Sequence, residues 1–209
     1  MCHTLYVNFA HRVNNYIKNN TVNSRTQAYD ICYAEFNNAR ISNNYNYDYL
    51  ALHLYAFLAS WGMVCRGNYL MQHNYKVLIP VAKIVCNKKY NSLLNIDVFN
   101  KTFNQNNYIN LMMDLKTDLK KALCGGIKTN ITDTLLSKIV HVTLGCVVCY
   151  DKNVNNNLRK LKYKASYTKQ GLNDLVNFAN ANKNDILTLQ KTYAKYNYSI
   201  MKICDCALY

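Results

Sequence analysis

Glycine and proline are scarce: the chain has six glycines and a single proline, Pro80, in 209 residues. β-Sandwiches and barrels reverse direction often and use these residues to do so. Their scarcity argues against most all-β architectures and favours helices joined by polar loops. Acidic residues are few as well, 11 against 25 lysines and arginines. Several chemical signatures are missing. There is no P-loop, no dinucleotide-binding glycine fingerprint, no Gly-x-Ser-x-Gly elbow, no kinase set and no His-Glu-x-x-His. ATP, nicotinamide and serine-hydrolase chemistry is therefore disfavoured. The stretch Met1 to Val13 carries His3, Asn8, His11 and Arg12 and lacks the apolar core of a secretory signal.

What is present points to a packed interior. Half of the residues are hydrophobic, which excludes wholesale disorder. The length suits one domain with a real core, and neither an internal repeat nor a strong boundary is visible. The expected fold is a mainly α, compact multi-helix single domain over residues 1–209. The formal net charge of +14 suggests a polyanionic partner such as nucleic acid or an anionic membrane surface. Asn, Lys, Tyr and Ile are abundant together, however, as AT-rich codons would make them, so part of the charge is compositional. The nine cysteines are odd in number. Without a secretory signal they read as reduced thiols of a cytoplasmic protein. Asn-x-Ser/Thr triplets at Asn19, Asn100, Asn130 and Asn197 are expected by chance in so Asn-rich a chain. Tyr49 to Cys65 is the most apolar stretch, but it falls short of the roughly 20 residues a span requires and His53 interrupts it. It reads as a buried helix, and no membrane partner is expected.

Apolar spacing predicts helices over Val22 to Asn38, Leu50 to Cys65 and Asn107 to Cys124, the last stopped by Gly125 and Gly126. Val77 to Cys86 has β-branched content, but Pro80 suits the first turn of a helix starting near Ile79. Thr132 or Thr129 can cap a helix running to Leu144, ended by Gly145. Two final helices are predicted over Gly171 to Asn182 and Asp185 to Ile203. Asn43 to Asp48 reads as a surface loop, and Asp151 to Tyr167 is polar and basic, a solvated helix face or loop that Asp151 could cap.

Four groups of residues carry chemistry. Trp61-Gly62-Met63 is followed by Arg66-Gly67. Trp61 reads as core, and Arg66 as either an internal partner or a clamp for phosphate or carboxylate. Thr132 to Ile139 leads into Gly145-Cys146-Val147-Val148-Cys149-Tyr150-Asp151. Cys146-x-x-Cys149 and Cys204-x-Cys206 offer four thiolates for a tetrahedral zinc. Set against that are the apolar surroundings and the absence of knuckle glycines. Buried free cysteines are the preferred reading, and we assign no metal and no cofactor. His3, His11, His53 and His141 show no ligand spacing. Finally, Lys152 to Lys169 interleaves Lys152, Arg159, Lys160, Lys162 and Lys164 with Tyr163 and Tyr167. Cations for phosphates and rings for bases are what a nucleic-acid surface needs.

Three resemblances accompany these residues. Trp61-Gly62-Met63 with Arg66-Gly67, then Ser137-Lys138-Ile139, Gly145-Cys146-Val147 and Tyr150-Asp151, resemble a bacterial protein group of no established activity, so no function follows. Arg66 and His73 resemble the Arg-x6-His pair of HEPN ribonucleases, which implies action on the RNA 2′-hydroxyl. Gly67 departs from the polar residue usual there. Lys138 on a helix followed by Asp151 is similar to the helix-hairpin-helix DNA glycosylases. That likeness implies a Schiff-base lysine and an aspartate that stabilises an oxocarbenium ion. The usual Leu-Pro-Gly-Val-Gly hairpin is missing, only Gly125-Gly126-Ile127-Lys128 comes near it, and the Lys–Asp spacing is short.

Three functions remain open at this point. The leading one is association with DNA or RNA through Lys152 to Lys169 and Arg66. The second is glycosylase or lyase chemistry at Lys138 and Asp151, so whether the chain is an enzyme is left undecided. The third is an interaction or structural subunit without catalysis.

Overall fold

The computed structural model describes residues 9–124 and 131–209. Gly125, Gly126, Ile127, Lys128, Thr129, Asn130 and His3 lie outside the described residues. The described chain is helical, with no strand among its residues. The ten α-helices are α1 (Phe9–Lys18), α2 (Gln27–Ser42), α3 (Tyr47–Ser60), α4 (Ile79–Val85), α5 (Gln105–Cys124), α6 (Asp133–Leu144), α7 (Lys152–Lys160), α8 (Lys169–Ala181), α9 (Lys183–Thr192) and α10 (Ile200–Leu208). Short 3₁₀ turns link several of them. This is the mainly α single domain expected, and no helix among the described residues is long and apolar enough to cross a membrane.

Most helices form for local reasons. α1 buries Phe9, Val13, Tyr16 and Ile17, an i, i+4, i+7, i+8 stripe. α3 begins at Asn46, whose side chain accepts from the Tyr49 N–H, and it stops at Ser60, short of Cys65. Pro80 sits in the first turn of α4, where a missing N–H costs nothing. α5 buries Tyr108, Ile109, Met112, Leu115, Leu119 and Leu123 on one side. The single C-terminal helix expected over Asp185 to Ile203 is instead two, α9 and α10. The chain breaks between them at Asn197, in the left-handed region with φ 49°, and α10 starts afresh with Ser199 accepting from the Lys202 N–H.

α6 and α10 differ from the others because they are buried on every side. From Leu135 to Leu144, and from Ile200 to Leu208, every residue is buried. α2 and α3 pack on α6, and α1, α7, α8 and α9 pack on or beside α10. Thr132 caps α6 by accepting from the Leu135 N–H, and Gly145 ends it at φ 63°. A Cβ on Gly145 would lie 2.6 Å from Asn95 Oδ1, so the position is closed to side chains on both conformational and steric grounds. The segment from Gly145 to Asp151 then runs through the interior without regular structure. Its backbone groups are satisfied by side chains, as buried peptide groups must be. The Tyr150 N–H donates to Ser137 Oγ at 2.9 Å, and Thr134 Oγ1 donates to the Tyr150 carbonyl at 2.9 Å.

Candidate functional site

A burial pattern of this kind forces a question about the polar residues of α6 and α10. Lys138, His141, Lys202 and Asp205 all lie inside, and an isolated buried charge is too costly to persist. They persist because they meet. Lys138 and His141, one turn apart on α6, face Cys149 and Asp151 of the following segment and Lys202 and Asp205 of α10.

Lys138 Nζ donates to the Trp61 carbonyl at 2.8 Å and stands 4.0 Å from Asp151 Oδ2. Asp151 Oδ1 accepts from the Asn153 and Val154 N–H groups and so caps α7. Burial pushes the Asp151 carboxyl above its ordinary range, opposed by these N–H groups and by Lys138. Asp205 Oδ1 accepts from the Cys149 N–H at 2.7 Å, and Asp205 Oδ2 lies 3.5 Å from His141 Nε2. His141 Nδ1 lies 2.6 Å from the Val147 carbonyl oxygen. A carbonyl only accepts, so Nδ1 carries the proton and a neutral ring leaves Nε2 as a bare lone pair. Burial pushes the His141 pKa down to about 4, against the pull of Asp205. Lys202 Nζ donates to Tyr16 Oη at 2.9 Å and sits 3.9 Å above the Tyr29 ring, a strong cation–π placement in a dry site.

These groups border a cavity of about 10 Å3 lined by Tyr29, Phe57, Trp61, His141, Cys149, Asp151, Lys202, Asp205 and Tyr209. That volume admits one water-sized occupant. An aromatic cover lies over it. Trp61 and Tyr209 meet edge to face at 5.5 Å, Arg25 stacks on Trp61 at 4.7 Å, and Arg25 donates to Tyr209 Oη at 2.6 Å.

The structure therefore brings together Lys138 and Asp151, the pair singled out in the sequence, but encloses them. Lys138 is 5% exposed, and the cavity beside it has no room for a sugar. The two CxxC thiols part company. Cys146 Sγ meets Met112 Sδ at 3.5 Å, while Cys149 faces His141 and Asp205. Cys32, Cys65, Cys86, Cys146, Cys149, Cys204 and Cys206 are free thiols. Trp61, read as core, packs half-buried against the core and also covers this polar centre. His141 was set aside for want of ligand spacing, and Asp205 and Lys202 were not singled out at all. Their partners are distant in sequence. The available signal was local: two titratable residues one turn apart on a helix otherwise apolar.

The second sequence-predicted group lies outside. On α7, Lys152, Arg159 and Lys160 are exposed together with Asn153 and Asn156, while Val154, Asn157 and Leu158 face inward. Lys162, Lys164 and Lys169 are exposed in the segment that follows and at the start of α8. None of these six cations forms an ion pair among the described residues. Two corrections apply to the aromatic part of this group. Tyr167 is fully buried and stacks on Tyr150 at 5.9 Å, because its ring completes the core beneath α8. It offers no face to a base. Tyr163 is half-buried and packs edge to face on Phe178 at 5.8 Å. Arg66 is exposed in the loop after α3. His73 is exposed, and its ring lies tilted against Tyr69 with centroids 4.4 Å apart.

In comparisons with known proteins, no family model, no curated protein and no solved structure matches this chain.

Proposed function

We propose that this protein binds nucleic acid through the exposed face of α7 and the segment to Lys169, by contact with backbone phosphates. The observation that carries the reading is local. Between Lys152 and Lys169 there are six cations and no acidic residue, all six are exposed, and among the described residues none of them pairs with a carboxylate. Positive charge without internal partners is what releases counterions from a polyanion. With Tyr167 buried and Tyr163 committed to Phe178, the face supplies cations and few rings. Recognition is therefore of phosphate and not of base, and it is tolerant of sequence.

Fluorescence anisotropy with a labelled single-stranded oligonucleotide, titrated at several salt concentrations, tests this. Engagement of four or five of the cations gives a log–log slope of about −3, with little difference between sequences of equal length. Absent binding, or binding indifferent to salt, removes the reading.

A further inference from the structure

The interior holds a contact that is unfavourable as it stands. His141 Nδ1–H donates to the Val147 carbonyl, so the Nε2 lone pair points at the carboxylate of Asp205, 3.5 Å away. Nε2 has no hydrogen-bond partner and is buried. A lone pair facing an anion in a dry site is repulsive. A proton on Nε2 would relieve it. A water donating to both groups would relieve it, and so would a cation between them.

We propose that His141 Nε2, Cys149 Sγ and an Asp205 carboxylate oxygen bind one divalent transition-metal ion of the zinc class. Four observations support this. The three ligand atoms all lie within 4.8 Å of one another, and among the described residues this is the one such group of three or more. A tetrahedron with zinc-like bond lengths has edges of about 3.4 Å, and the His141–Asp205 separation of 3.5 Å already fits one. The outer contacts are those that orient metal ligands: the Val147 carbonyl fixes the His141 ring, and the Cys149 N–H holds Asp205 Oδ1 at 2.7 Å. The adjoining cavity of about 10 Å3 holds a single small occupant and no more.

The ligand set selects the ion. One thiolate, one imidazole and one carboxylate are borderline-soft, which suits zinc or cobalt over magnesium or calcium. Binding replaces the Cys149 thiol proton with the metal and releases that proton to solvent. Burial and the neighbouring Asp205 hold the thiol up, and Lys138 and Lys202 oppose them. Once Cys149 is a thiolate, it and the carboxylates of Asp151 and Asp205 outnumber the two lysines by one charge, which favours a cation beside them. Three protein ligands leave a fourth position, and the adjoining cavity has room for one water there. This inference does not rest on oligonucleotide binding. A protein that takes up metal and ignores nucleic acid would retain it.

The test is a Co2+ titration of the whole protein after dialysis against a chelator. The expected result is one equivalent bound, with a thiolate-to-metal charge-transfer band and the intense visible absorption of four-coordinate Co2+, both erased by Zn2+. Cys149→Ser abolishes the charge-transfer band and weakens uptake at least tenfold, with helical circular dichroism unchanged. Cys146→Ser, whose thiol faces Met112, leaves both signals intact. No stoichiometric uptake by the wild-type protein overturns the proposal, and so does a charge-transfer band that survives Cys149→Ser.

Discussion

α6 and α7 are neighbours in sequence, joined by the segment from Gly145 to Asp151, and both carry lysine. On α6 the lysine is enclosed, donates to a backbone carbonyl and stands beside a carboxylate. On α7 the cations are exposed and have no acidic partner. The difference shows what each charge is held for. A charge inside the protein is stable only through its partners, so removing a partner is severe. A charge outside is solvated, contributes little to the fold and is available to a ligand. The total of +14 conceals this division.

The comparison is broken most forcefully at Asp205. Asp205→Ala leaves the Cys149 N–H without its acceptor and removes the carboxylate among His141, Lys138 and Lys202. A loss of roughly 3–5 kcal/mol is expected in chemical denaturation, and a change under 1 kcal/mol would deny the interior cluster its structural role.

Acid sharpens it next. In metal-free protein, His141 takes up a proton near its ordinary value of 6.5 when unfolded and at about 4 when folded. The unfolded chain therefore binds more protons across that window, and stability falls as pH falls through it, by about 3 kcal/mol in all. Asp151 works in the opposite sense. Its raised carboxyl gains a proton in the folded state first, so stability rises as pH falls through its own window. The difference between wild type and His141→Asn isolates the histidine: the variant lacks the decline between 6.5 and 4. Equal declines in both proteins would mean that His141 is not buried and neutral.

The sequence was informative where structure is local. Scarce glycine and proline, the stripe of α5, Pro80 opening α4 and Thr132 capping α6 all concern residues within a turn or two of each other, and each appears in the fold. α1 was legible in principle, since Phe9, Val13, Tyr16 and Ile17 have helical spacing, but the polar residues among them obscured it. The break at Asn197 was hidden because an asparagine in the left-handed region looks like any other in an Asn-rich chain. The site divides in the same way. Lys138 and Asp151, 13 positions apart, could be paired from sequence. The contact of Cys149 with Asp205, 56 positions apart, depends on how α10 packs on the core. Burial of Tyr167 was likewise a tertiary outcome, since tyrosines between lysines read as an exposed stacking surface.

The central claim is that the charge on α7 is functional because of where it lies, not because the chain is basic. Two triple variants test it most directly. In one, Lys152, Arg159 and Lys160 on α7 become glutamine. In the other, Lys183, Lys191 and Lys195, exposed on α9 and the turn after it, become glutamine. Each removes three charges, and stability stays within about 0.5 kcal/mol of wild type in both. The measurement is oligonucleotide affinity at fixed salt together with the salt slope. The account predicts a loss of tenfold or more and a slope shallower by about 2 for the α7 variant alone. Equal losses in the two variants would contradict it and return the charge to composition.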